Sequence, residues 1–144
     1  MARMFGVALA VLALTAASAG ARRAPLPGVV TPTGNIRCLY VPVAHLLCDV
    51  AHSAYAAELQ RRCQARTGLD WHGFTLPATR PAVANCTGGI LWNEGSDVPV
   101  YRRLAYGAAW RFGAFTCVSR RTGLTCTSRY GHGLFLSRAS WRGW

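Results

Sequence analysis

Six cysteines (Cys38, Cys48, Cys63, Cys86, Cys117 and Cys126) follow a short hydrophobic leader that ends in Ala17-Ser18-Ala19. Together they constrain the chain more than any other feature. Arg3 precedes an apolar run from Met4 to Ala16, and Ala17 and Ala19 occupy the −3 and −1 positions of a signal-peptidase site. Residues 1–19 are therefore expected to be a secretory signal peptide, with Ala19-Gly20-Ala21 as a second cleavage site. The run falls short of the ~20 apolar residues that a membrane span needs. No cysteine adjoins the cleavage site to carry a lipid, so no stable membrane anchor is expected. A secreted or periplasmic chain oxidises its thiols. The cysteines are thus expected as disulfides, and the close Cys pairs of a zinc site are absent. No metal and no cofactor are expected.

Six cysteines allow 15 pairings, but local pattern weights them. Cys38 and Cys48 lie in the apolar runs 35–41 and 45–50, with Pro42 between. Cys117 and Cys126 lie in the runs 114–119 and 124–130, joined by Arg120-Arg121-Thr122-Gly123, which reads as a hairpin turn. Each pair faces across antiparallel strands, close enough for a bridge. Cys63 and Cys86 pair by elimination.

Of the 144 residues, 125 remain after the leader, the size of one domain. Residues 20–33, with Pro25, Pro27, Gly28 and Pro32, read as an extended tether. Residues 34–144 read as a single, mainly β domain: a small antiparallel sandwich or barrel with one short helix and three disulfides. The helix is expected over 53–66, where Tyr55, Leu59 and Cys63 recur at four-residue spacing. Ser53 would cap its start and Gly68 lies just past its end. Strands are expected at 71–76, 82–86, 90–92, 104–106, 111–119, 124–130 and 134–137. The last three form a meander turning at Gly123 and at Gly131-His132-Gly133, and 140–144 reads as an end flap.

Three segments, Thr31-Pro32-Thr33-Gly34-Asn35-Ile36-Arg37-Cys38, Cys117 with Gly123-Leu124-Thr125-Cys126, and Gly131-His132-Gly133-Leu134-Phe135-Leu136-Ser137-Arg138, occur in that order. With Leu104-Ala105-Tyr106-Gly107, they resemble a family of small exported bacterial proteins classed as a domain of unknown function. The resemblance spans nearly the whole mature chain. It implies export and disulfides but no chemistry. The chain departs from it after Cys86, where Thr87-Gly88-Gly89-Ile90 stands in place of Gly-Asp-Thr. Gly34-Asn35 suits a tight turn leading into a strand, with Asn bonding its own backbone. The glycines on both sides of His132 allow positive φ there or the close approach of another backbone.

Every basic residue is arginine. Without Arg3, fifteen arginines face five acids, a net +10. Such a surface attracts polyanions, so the expected partner is an anionic envelope polymer or nucleic acid. The candidate ligand-binding residues are His132, Arg129, Arg138, Arg111, Arg120 and Arg121, from segments where arginine alternates with aromatics. Paired carboxylates, a nucleophile elbow and phosphate loops are absent. His45, Asp49 and His52 straddle a strand, too dispersed for a metal site. The chain is thus expected to be a secreted, non-catalytic binding or envelope-interaction protein. The alternative is a small ribonuclease-like hydrolase using His132, Glu58 and Arg129 or Arg138.

Overall fold

The computed structural model describes residues 26–43, 45–88 and 99–144. Eleven strands and one helix alternate along them: β1 Leu26–Val30, β2 Ile36–Val41, β3 His45–Val50, α1 Ala56–Thr67, β4 Asp70–Pro77, β5 Val83–Thr87, β6 Pro99–Arg103, β7 Ala109–Phe112, β8 Phe115–Arg120, β9 Gly123–Ser128, β10 Gly133–Leu136 and β11 Trp141–Gly143. They form two sheets, one ordered β5-β4-β3-β2-β1-β6 and the other β11-β10-β9-β8-β7. All pairings are antiparallel except the parallel pair β1/β6. The domain is a sandwich.

Period-2 burial explains the layering. In β3, Leu46, Cys48 and Val50 point inward while His45, Leu47 and Asp49 point outward; β9 repeats the pattern with Leu124, Cys126 and Ser128 inward. The inward faces of both sheets merge into one core, in which Phe74, Leu76 and Leu46 of the first sheet join Phe115, Leu134 and Leu136 of the second.

Two disulfides sit at the centre of that core. Cys38 is directly opposite Cys48 on β2/β3, and Cys117 is directly opposite Cys126 on β8/β9. Their Cα separations, 4.1 and 4.0 Å, belong to the narrow, non-hydrogen-bonded kind of antiparallel pair. The two bridges face one another between the sheets, with the Cys38, Cys48 and Cys126 sulfurs mutually within 4.8 Å. That is thiolate-site spacing, but every sulfur is oxidised and none is free to ligate. The third bridge, Cys63–Cys86, fastens α1 to β5. All three pairs are as expected, two from local strand pattern and the third by elimination.

Several elements differ from expectation. Leu26–Val30, within the expected tether, is a strand between β2 and β6. Pro27 pairs in register only with Val100, because the β1/β2 ladder begins at Gly28. Its missing N–H therefore costs that ladder nothing. The expected strand 111–119 is broken at Gly113 into β7 and β8, and 104–106 is a loop that follows β6. The end flap contains β11, which pairs with β10. The expected strand 90–92 lies outside the described residues.

The helix starts at Ala56 rather than near Ser53, and no side chain caps it. Tertiary bonds set its start instead. The Ala54 N–H donates to the Arg138 carbonyl at 2.8 Å, and the Tyr55 hydroxyl donates to the Ser137 carbonyl at 3.0 Å. Its end at Gly68 is as expected, with the glycine left-handed and its N–H on the Gln64 carbonyl. Leu59 and Cys63 face inward beside an aromatic cluster of Tyr55, Trp71, Phe74 and Trp141. Among the described residues no helix is long and apolar enough to cross a membrane.

Candidate functional site: an arginine cleft at one end of the sandwich

Strand direction decides which turns meet. The β1–β2 turn of the first sheet and the β8–β9 turn of the second lie at the same end of the sandwich, along with the segments after β3 and β10. Between them is a cleft of about 540 Å³. Its lining comes from five places in the chain: Thr31 with Thr33 to Asn35, Ala51 and His52, Tyr106, Arg120 to Gly123, and Ser137 to Ala139. Each of the four segments that carry the resemblance contributes to it.

Each wall is held by its own bonds. In the first turn the Gly34 N–H donates to the Thr31 carbonyl, and the Ile36 N–H donates to the Thr31 hydroxyl. The Arg103 guanidinium clasps the turn through the Thr31 and Pro32 carbonyls. Asn35 does not bond its own backbone. Its side chain accepts the His52 N–H at 2.9 Å and donates to the His52 carbonyl at 3.2 Å, carrying the β2/β3 pairing past the end of the ladder. That fixes His52 on the cleft floor. The Arg138 turn is closed by Ser137, whose hydroxyl accepts the Ser140 N–H and donates to the Ser140 carbonyl. The Ala54 and Tyr55 bonds described above pin the same turn from the helix side. Burial pushes the Tyr55 phenol up to about 12, so it remains a donor throughout the physiological range.

Arg120, Arg121 and Arg138 line the cleft, and among the described residues no carboxylate does. The acids among the described residues are engaged elsewhere. Asp49 pairs with Arg37 at 2.9 Å, Glu58 lies 3.6 Å from Arg62, and Asp70 accepts from the Gln60 and Gln64 amides. The Arg121 guanidinium lies over the Tyr106 ring, 5.2 Å from its centroid. A second lobe of about 660 Å³ shares Ala51, His52, Arg138 and Ala139 with the first and runs to Ala56 at the start of α1.

The six candidate ligand residues divide. Arg120, Arg121 and Arg138 converge on the cleft. Arg111, Arg129 and His132 lie at the other end, on and beside the β7–β8 and β9–β10 turns. His132 contributes its backbone carbonyl to close its turn, accepting the Ser128 N–H at 2.8 Å. Gly131 takes positive φ there, and Gly133 lets the Trp144 ring lie against the strand. The trio considered for hydrolysis is not gathered. Glu58 is on the exposed side of α1, His132 precedes β10 and Arg138 follows it. His45, Asp49 and His52 form no ligating group among the described residues. Residue chemistry marks His52 only as a metal ligand, a role the sequence already disfavours, and it passes over Thr33 and Asn35, which have no charge pattern to mark them. The signal that points to Thr33, Asn35 and Tyr106 is their place in the segments on which the sequence resemblance was drawn.

A sequence model of a family of unknown function (DUF6636) matches residues 7–142. No curated protein and no solved structure matches the chain.

Proposed function

We propose the function of this chain, which belongs to the family of unknown function DUF6636, from its cleft: it is an extracytoplasmic, non-catalytic module that binds an anionic ligand there. One observation carries the reading. Three guanidiniums surround a concave site that no carboxylate among the described residues lines, while each described acid is committed to another partner. A cleft of one sign focuses potential on a ligand of the other. Among the described residues no carboxylate of the lining stands beside His52 to orient it for proton transfer, which favours binding over hydrolysis. The leader and the three bridges support an oxidising, extracytoplasmic setting.

The test is retention of the mature protein on a heparin matrix. Elution is expected to shift steeply with salt, as contacts to charged groups require. Arg120→Gln/Arg121→Gln/Arg138→Gln should elute at clearly lower salt, and Arg111→Gln/Arg129→Gln much closer to wild type. Retention insensitive to salt, or equal losses in the two variants, would remove the cleft as the binding site.

A further inference from the structure

We infer that the cleft takes a slim, acyclic phosphodiester chain, such as a polyol-phosphate polymer, rather than a small anion or a nucleic acid. The inference rests on the anion-binding reading above and narrows it.

The shape argues for a chain. The two lobes share four residues and form one furrow, with Arg138 where they join and Arg120 and Arg121 toward one end. A lone phosphate would occupy a small part of it. Exposure points the same way. All three arginines are solvent-exposed, and an exposed ion pair is worth no more than about five-fold in affinity. One phosphate would therefore be held weakly. A chain with a charge on every repeat engages successive guanidiniums as one ligand, and the later contacts are intramolecular.

The lining argues against bases. Proteins that hold single-stranded nucleic acid supply aromatic platforms, and stacking is worth roughly 5- to 150-fold per base. Tyr106 is the one aromatic of the furrow among the described residues, and Arg121 covers its face. The other exposed aromatics among the described residues, Phe112, Tyr130 and Trp144, lie at the far end of the sandwich. What the furrow offers besides charge is hydroxyls, from Thr33 and Thr122 on its rim. These suit the free hydroxyls of a polyol better than the face of a ring.

The experiment is calorimetric titration of the mature, oxidised protein with four probes at low salt. They are glycerol phosphate, poly(glycerol phosphate) of about ten repeats, a uridine decamer and dextran sulfate of matched charge. Poly(glycerol phosphate) is expected to bind at least ten-fold tighter than the decamer or dextran sulfate, and at least a hundred-fold tighter than the monomer. Arg120→Gln/Arg121→Gln/Arg138→Gln should lower its affinity at least ten-fold with an unchanged melting temperature. Arg→Lys at the same three positions should restore most of it. A decamer or dextran sulfate that binds as tightly, with the same loss in the variant, would overturn the acyclic-chain inference and leave the anion cleft standing. Equal binding of monomer and polymer would overturn the requirement for a chain. Failure of every probe, or binding that ignores the three arginines, would overturn the cleft reading itself.

Discussion

The two ends of the sandwich carry similar residues and present them differently. At one end Arg120, Arg121 and Arg138 stand around a hollow floored by His52 and Asn35. At the other, Arg111 and Arg129 accompany exposed aromatics: Phe112 is 41% exposed and Tyr130 51%, with the Arg129 guanidinium 5.0 Å from the Tyr130 ring centroid. There Tyr40 of the first sheet packs edge-on against Phe112 of the second, 4.8 Å between centroids, and the turns close on each other. At the cleft end a hollow lies between the turns, and the Thr31 and Ser137 turns are each closed by their own polar bonds. Arginine count is therefore a poor guide to a site. Concavity separates one end from the other.

The largest expected effect bears on what the ends share. Cys117→Ala/Cys126→Ala removes one of the two facing bridges and should cost about 2–5 kcal/mol. Calorimetric melting checks the size. Amide exchange should show protection falling at both ends; loss confined to one end would mean that the sheets are independently braced.

Next come the turn glycines, one at each end. Gly123 has φ +148°, and a Cβ there would strike the Leu136 carbonyl and the Phe135 ring. Gly131 has φ +92° with open space around it. Gly123→Ala should cost about 3 kcal/mol, from steric conflict added to conformational strain, and Gly131→Ala only about 1 kcal/mol. Denaturant melts of the two variants compare the ends directly; equal costs would show that the cleft hairpin is less tightly fitted than its contacts require.

A smaller effect is electrostatic. Removing the cleft arginines should weaken polyanion binding by about ten-fold, or ~1.4 kcal/mol. It should also reduce the slope of log affinity against log salt by about 2. Removing Arg111 and Arg129 at the aromatic end should alter the slope by much less than about two-thirds of that amount. Binding isotherms at three salt concentrations decide between them.

The smallest concerns Tyr55, whose hydroxyl ties the lead-in to α1 to the cleft rim. Tyr55→Phe should cost about 1 kcal/mol at neutral pH. Its pH dependence carries more information. Burial raises the phenol from 10.0 to about 12 in the folded state, so the unfolded chain releases this proton first. The associated stability is intact below pH 10 and is lost as pH rises from about 10 to 12. The difference in stability between wild type and Tyr55→Phe should therefore shrink across that window, read from denaturant midpoints at pH 8 to 12. A constant difference would mean that the phenol titrates as if exposed.

Local features proved legible. Cys38/Cys48 and Cys117/Cys126 are each separated by one turn, so apolar runs on both sides were enough to pair them. Gly68 marks its helix end because the left-handed cap is a property of a few neighbouring residues. The meander through β8, β9 and β10 follows from successive hairpins. Features that depend on distant chain were not legible. Leu26–Val30 resembles a tether because of its prolines, and only the partners β2 and β6 make it a strand. Ser53 has the chemistry of a cap, yet Arg138 and Ser137 settle where the helix begins. Arg120 and Arg138 are eighteen positions apart and nothing in their spacing brings them together.

The amino-acid sequence by itself determined the staples, the alternation that makes the sheets two-faced, and a positive surface, because each depends on residue type and near neighbours. Which arginines share a hollow, and which stand on a closed aromatic end, was decided only when two sheets stacked on facing disulfides. Strand direction then carried Arg120, Arg121 and Arg138 to one end and left Arg111, Arg129 and His132 at the other.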